Sequence, residues 1–430
     1  MSDTILIFGG SFFLLLFIGL PIAWSMLVSV VTWMVFSDRL MFLPVLPERV
    51  FQGMDSFVLL AVPLFILAGE LVSEGKITSR LVDLANALFG WMRGGLAQVN
   101  IGASLLFAGI TGVALGDIAS LGRIFIPEMV KQGYTSAYAA AVTASSSIIG
   151  PMVPPSLVAV IYGSMTGVSI GALMAATLVP GLLVGMVQML LVSVQARRNN
   201  FPRVEMDRSP RVIVRLTGRA LVPLMIPVII LAGMLGGVMT PTEAGAVAAG
   251  YALIISLVLY RTVNMTSLAQ VFSRSALFSG QLLIIVGAGA AFSWVMGMEN
   301  VPGMVSGLIM GLDLNAVGVL LLFNLILLVL GMVIDPTTVI ILFAPLLSRI
   351  AADVGIDPLH FGVIAILNLN IGLLTPPLGV CLFAAERIAN CGIVPLLRAT
   401  MPFLLVNLVA LAIVAAVPAL SLTLPRALGL

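Results

Sequence analysis

Two aspartates, a set of hydroxyl and amide side chains, and a turn that occurs twice are the parts of this chain that could do chemistry. Asp117 and Asp335 both lie among apolar residues. An ionisable group at membrane depth is costly and points to function by default. The alternative is that each caps the helix after it, and Asp335-Pro336 has the order of an N-cap followed by proline at the first helical position. Ser145, Ser146 and Ser147 lead into Gly150-Pro151-Met152-Val153-Pro154-Pro155, and Asn368 and Asn370 lead into Gly372-Leu373-Leu374-Thr375-Pro376-Pro377. Glycine permits sharp turns and proline removes backbone donors, so a helix must stop at each Gly-x-x-x-Pro-Pro. Unwound backbone there exposes carbonyls. Together with hydroxyls such as Thr111 they suit Na⁺, and half-helix N-termini suit an anion. Asn368 and Asn370, two positions apart, share a helix face only if the helix ends near them. Arg123 is the cation near the first turn, either as a helper to an anionic substrate or as an interfacial snorkelling residue.

The elements that must position these groups are membrane helices. Of the 430 residues 60% are hydrophobic and 9% charged, and the mean hydropathy is +1.20. That excludes an ordinary soluble domain and predicts an all-α polytopic membrane protein in contact with lipid. A net charge of +2 with no basic stripe gives no reason to expect nucleic acid. Cys381 and Cys391 form neither a disulfide framework nor a metal motif. The one histidine, His360, reads as a loop or interface residue beside Pro358.

A duplication organises the chain. Gly133 and Gly355, Gly150 and Gly372, Pro154 and Pro376, Pro155 and Pro377, and Pro180 and Pro402 all share one sequence interval, 222. An interval of 218 pairs Asp117 with Asp335 and Pro127 with Pro345, and 220 pairs Pro21 with Pro241. Interrupted apolar segments at matching places in two halves are the best sequence pointer to a transporter's binding site. The run from Gln132 to Ala196 carries no charge. Its two arms, about 134–150 and 156–169, are each shorter than the ~30 Å hydrocarbon core at 1.5 Å per residue. The second copy has arms at about 357–372 and 378–390. A re-entrant helical hairpin in each half is expected rather than two spans with a kink.

The halves are residues 1–196 and 220–430, joined by a basic linker at 197–219. Within the first, scaffold helices occupy about 1–93 and the part carrying the hairpin about 94–196. In the second the corresponding parts are about 220–313 and 314–430. Residues 4–36 break at Gly19-Leu20-Pro21, residues 38–55 read as a loop, and 73–93 as an amphipathic interfacial helix. Glu243 beside Pro241 reads as first-turn helix chemistry. The linker region from Gln195 to Arg219 holds seven of the twenty Lys and Arg residues, which places it in the cytoplasm. If the halves are inverted repeats, each crosses an odd number of times and both termini are periplasmic.

Five segments together resemble one family. They are Phe107-Ala108-Gly109-Ile110-Thr111-Gly112, Ser147 to Ser156, Thr240-Pro241-Thr242-Glu243-Ala244, Gly331-Met332-Val333-Ile334-Asp335-Pro336, and His360-Phe361-Gly362 with Asn368 to Val380. They resemble the large membrane subunit of tripartite ATP-independent periplasmic (TRAP) transporters over about residues 4–420. The resemblance implies a Na⁺-driven importer of organic acids in the bacterial inner membrane, working as an elevator, with a transport domain moving against a scaffold. It implies two partner chains: a small four-helix membrane subunit, and a periplasmic substrate-binding protein that delivers the cargo. It also implies two Na⁺ sites built mostly of backbone carbonyls. The first would use Ala108, Thr111, Gly150, Val153 and Pro155, the second Gly331, Gly372, Thr375 and Leu378, with Asp335 facing substrate. The family often has serine where this chain has Ala108 and Thr111. A stand-alone Na⁺/dicarboxylate symporter and, remotely, an intramembrane aspartyl protease are the alternatives.

Overall fold

The computed structural model describes residues 3–75, 78–199, 201 and 209–430. Lys76 and, in the basic linker, residues 200 and 202–208 lie outside them. Among the described residues the chain is helical throughout, without strands. The first stretch comprises α1 (Asp3–Phe17), α2 (Ile22–Phe36), α3 (Val45–Met54), α4 (Ala61–Glu74) and α5 (Thr78–Phe89). Next come α6 (Gly95–Thr111), α7 (Ala114–Asp117), α8 (Arg123–Lys131), α9 (Ser136–Ser147), α10 (Leu157–Thr166) and α11 (Ile170–Asn199). The latter part holds α12 (Pro210–Leu235), α13 (Pro241–Ile254), α14 (Met265–Met298), α15 (Val301–Met310) and α16 (Ala316–Val333). It ends with α17 (Pro336–Asp353), α18 (Pro358–Gly372), α19 (Val380–Ala389), α20 (Ile393–Ala416) and α21 (Ala419–Ala427). Eight of the described helices are long and apolar enough to cross a membrane, and further apolar helices are shorter. The protein is a multi-pass membrane protein.

Proline and its neighbours set the helix starts. Thr240 and Glu243 form a reciprocal cap at α13: the Glu243 N–H donates to Thr240 Oγ1 at 3.3 Å, and the Thr240 N–H donates to Glu243 Oε2 at 2.8 Å. Asp357 caps α18, accepting from the Leu359 and His360 N–H groups at 2.9 and 3.4 Å. Such caps satisfy donors that a helix start leaves open.

Helix ends recur at a constant interval. Thr111 and Val333 end helices, Ala114 and Pro336 open the next ones, and Ser136 and Pro358 open those beyond; each pair keeps the interval of 222. After the turns the interval is 223, for Leu157 and Val380, Thr166 and Ala389, and Ile170 and Ile393. The segments containing the turns cross-pack. α9 lies against α19 and α20, and α10 against α17, α11 and α18.

Two expectations need correction here. Residues 38–55 are not a loop: Leu40–Phe42 form a 3₁₀ turn and Val45–Met54 form α3. Pro44 stands just before α3 and Pro47 in its first turn, where a missing N–H costs nothing. His360 is not a loop residue; it is buried in the first turn of α18. The amphipathic segment is α5, whose Leu81, Leu84 and Ala85 are buried, and the helix packs on α6 and α12.

The 34-residue α14 is held near both ends. Arg274 donates to Glu70 and Glu74 of α4 at 3.1 and 2.7 Å. Glu299, just past its C-terminus, accepts from Arg39 at 3.0 Å and from Trp33 Nε1 at 3.2 Å. Between them α3 packs closely on α14. A β-carbon on Gly287 would lie 2.8 Å from the Val50 carbonyl and 2.9 Å from Met54. Overpacking of this kind costs about 1–3 kcal/mol. Gly287→Val is therefore expected to lower the unfolding temperature of the detergent-solubilised protein. Gly280→Val, on the same helix with open space around it, should unfold close to wild type.

Candidate functional site

The first turn joins α9 to α10. The Gly150 N–H donates to Ser147 O at 3.0 Å, and the Met152 and Val153 N–H groups both donate to Ile149 O at 3.0 Å. Ser156 caps α10, accepting from the Ala159 N–H at 3.1 Å. Every residue from Gly150 to Ser156 is buried. Gly112 ends α6 in a left-handed conformation, φ +60°, and its N–H donates to Ala108 O at 3.2 Å. A β-carbon on Gly112 would run into the Pro155 carbonyl oxygen, and one on Gly150 would lie 2.8 Å from Asp117 Oδ2. Thr111 Oγ1 donates to Asp117 Oδ1. The fold thus brings Ala108, Thr111, Asp117, Gly150 and Pro155 into one neighbourhood. The side chain of Val153 points instead toward Gly181 of α11.

The second turn joins α18 to α19. The Thr375 N–H donates to Gly372 O at 2.9 Å, Thr375 Oγ1 to Ile371 O at 3.0 Å, and the Leu378 N–H to Met332 O at 3.3 Å. A β-carbon on Gly372 would lie 2.7 Å from the Gly331 carbonyl oxygen, and one on Gly331 3.1 Å from that of Leu369. Gly331, Gly372, Thr375 and Leu378 therefore converge. Here Asp335 and the stretch Pro377-Leu378 are exposed, whereas the first turn is closed.

The two aspartates do not play matching parts. Asp335 caps α17, with Oδ2 accepting from the Thr337 and Thr338 N–H groups at 3.0 and 3.4 Å. Asp117 caps nothing. It closes the first turn of a helix that Val113 opens in extended backbone (φ −137°, ψ 124°) and that runs on through a π-helical turn, Ile118–Gly122, into α8. At the constant interval of 222, Asp335 matches Val113. Asp117 sits one turn further on and spends its carboxylate on Thr111.

The remaining candidates disperse. Ser146 accepts from Ser104 of α6 at 2.9 Å, and Ser147 lies 3.7 Å from the sulfur of Cys381 on α19. Ser145 offers its backbone carbonyl to Gln188 Nε2 at 2.8 Å. α18 does not end between the two asparagines, so they face apart. Asn368 Nδ2 donates to Asn324 Oδ1 at 2.7 Å, and Asn370 Nδ2 to Ile366 O at 2.7 Å. Arg123 is exposed at the start of α8.

Sequence reasoning missed three residues. Cys381 lies between the turns, against Ser147. Gln188 Nε2 also donates to Asn407 Oδ1 at 3.0 Å, tying α11 to α20. Arg387 of α19 is the third: a β-carbon on Gly122 would touch Ile388 at 3.2 Å, so the helix carrying Arg387 packs against the segment that leads into Arg123. A scan for arginines close to either turn in the sequence would have found Arg387.

The donor set suits an alkali cation better than a transition metal. Among the described residues no group of three His, Cys, Asp or Glu side chains converges. Carbonyls and hydroxyls do converge. Asp117 Oδ2, Ser145 Oγ and Asn370 Oδ1 are buried without a hydrogen-bond partner within the protein. A buried unpaired acceptor costs about 1–3 kcal/mol, which a small cation or water would relieve.

Apolar helices broken twice around buried polar turns define a membrane transport protein rather than an enzyme. Residues 10–420 match the model of the tripartite ATP-independent periplasmic transporter, DctM component. The chain belongs to that family. It is 36% identical over 412 residues to the sialic acid TRAP transporter large permease SiaM of Vibrio cholerae serotype O1, covering 96% of each chain. It is 37% identical over 386 residues to the C4-dicarboxylate TRAP transporter large permease DctM of Pseudomonas aeruginosa, covering 89% of each. Its fold is similar to that of the Alcanivorax borkumensis YdaH transporter, with a TM-score of 0.61, 15% identity and 88% of each chain covered. Membership in the family removes the stand-alone symporter and the aspartyl protease as readings.

Gly372 offers the sharpest test of the second turn. Gly372→Ala must push α18 away from the Gly331 backbone. It is expected to lower organic-acid uptake by reconstituted protein about tenfold or more, the equivalent of ~1.4 kcal/mol. Gly250→Ala, with open space around it, should transport like wild type.

Proposed function

We propose that this chain is the Na⁺-coupled permease subunit of an organic-acid importer in the bacterial inner membrane. One observation carries the reading: in each half, the turn packs against the broken end of another helix through glycine, the end of α6 at Gly112 against the Pro155 carbonyl and Gly372 against Gly331 near the end of α16. Unwound carbonyls at such breaks bind coupling cations. One Na⁺ is held by oxygens of Ala108, Thr111, Gly150, Val153 and Pro155, the other by those of Gly331, Gly372, Thr375 and Leu378. Na⁺ is cargo here and favours the substrate-ready state only through a higher affinity for it, which is what coupling requires. Asp335 faces the substrate region, and Arg123 and Arg387 supply positive charge for a carboxylate.

The two halves are inverted repeats, each with a re-entrant hairpin. The recurrence of helix ends at near-constant intervals supports this, as does the cross-packing of α9 with α19 and α10 with α18. The hairpins and their neighbours move as one block against a scaffold that includes α2, α3, α4 and α14. The arginines at the end of α11 and the start of α12 face the cytoplasm, and both termini face the periplasm. A small four-helix membrane subunit and a periplasmic substrate-binding protein complete the transporter. The named relatives carry sialic acid and C4-dicarboxylates, so an organic anion is the substrate class.

The deciding measurement is uptake of candidate acids into proteoliposomes holding this chain, the small subunit and the binding protein. Uptake is expected with an inward Na⁺ gradient and not with K⁺; equal rates in both sink the coupling. Asp335→Asn keeps the helix cap, because asparagine caps as well as aspartate. It is expected to lower uptake with little loss of folded protein, and unchanged uptake would count against its role at the substrate.

A further inference from the structure

We propose that a slot between α16 and α20 holds one phospholipid whose headgroup carries an ammonium group. The slot is a cavity of about 690 Å³, within the ~300–1,000 Å³ of ordinary ligand pockets. Its walls are apolar, from Leu320 and Leu321 on α16 to Leu408 and Leu411 on α20. Its charged end is built where helices terminate, from Asp357 at the start of α18, His360 one turn in, and Arg426 on α21.

Three observations choose the occupant. First, the slot opens to lipid. Val317, Leu321, Leu325 and Val329 form an exposed stripe along α16, and Met401, Leu405, Val409 and Ile413 form one along α20. Residues four apart share a helix face, so hydrocarbon flanks the opening and an acyl chain can enter sideways. Second, the charged end carries both signs. Arg426 stands 3.9 Å from Asp357 and both are partly exposed. A guanidinium matches a phosphate and a carboxylate matches an ammonium, so one aminophospholipid headgroup satisfies both. Third, the floor of that end is an unmet polar group. His360 is only 3% exposed; the Ala415 backbone approaches its ring, and at least one imidazole nitrogen has no hydrogen-bond partner within the protein. Buried polar groups are nearly always paired, and a lipid ester or glycerol oxygen reaches this depth. The slot's inner wall includes Asn324, the partner of Asn368 on α18. A lipid there touches the helix pair that leads to Gly331 and Gly372.

The test is retention by the full-length protein. Wild type purified in mild detergent is analysed for bound lipid by mass spectrometry, then stripped and titrated separately with phosphatidylethanolamine, phosphatidylglycerol and soluble phosphoethanolamine. Phosphatidylethanolamine is expected to stay bound at about one per chain and to rebind in preference to the other two. Ala412→Trp fills the slot from an exposed position, and Arg426→Gln removes the phosphate partner. Both should lose the bound phosphatidylethanolamine while eluting as folded protein. Equal binding of phosphatidylglycerol, equal binding of free phosphoethanolamine, no retained lipid, or undiminished retention by Ala412→Trp would each overturn the proposal.

Discussion

Hydrocarbon offers no hydrogen bonds, and that fact governs this molecule. A helix satisfies its own backbone; a broken helix does not, and must be sheltered by protein or by a wet cavity. This chain breaks its helices at two Gly-x-x-x-Pro-Pro turns and at the ends of α6 and α16 that face them. The breaks shelter one another. Gly112 lets the end of α6 meet the Pro155 carbonyl, and Gly331 and Gly372 let α16 and α18 touch backbone to backbone. Side chains at these positions would separate the breaks and leave carbonyls stranded.

The same arrangement explains why the polar residues are unevenly used. Most of the hydroxyls and amides near the turns are committed to holding helices together: Ser146 to Ser104, Asn368 to Asn324, Gln188 to Asn407. What is left over near the turns includes one carboxylate oxygen on Asp117, one hydroxyl on Ser145, and one amide oxygen each on Gln188, Asn368 and Asn370. The first turn is closed over Asp117 and Ser145. The second keeps an open edge at Asp335, Pro377 and Leu378, so the two turns, alike in residues, differ in access.

Much of this was legible in the residues themselves. Glycine and proline act locally, so the breaks at Gly19-Leu20-Pro21, at both turns and at Met239 to Pro241 could be located closely. Caps at Asp335 and Thr240 are likewise local chemistry. Contacts between segments in opposite halves of the chain leave no trace in periodicity, which is why Cys381 beside Ser147 and the Gln188–Asn407 bond went unread. α3 was missed because Pro44 and Pro47 look like breakers until the helix start is known to lie between them. The equivalence of Asp117 and Asp335 failed for a related reason. Matching residue types suggested an interval of 218, whereas the helix ends keep 222.

The clamps on α14 have a consequence for the membrane around the protein. Arg274 and Glu299 are separated by 25 positions of one helix and its cap, about 37 Å at 1.5 Å per residue. That length falls between the ~30 Å oily layer and the ~40–45 Å of the whole bilayer, so an upright α14 would set both charge clusters among the headgroups. The post acts as a ruler. In a thinner bilayer α14 tilts, kinks or thickens the lipid around it, and if it tilts the ion pairs drag α4 and α2 with it.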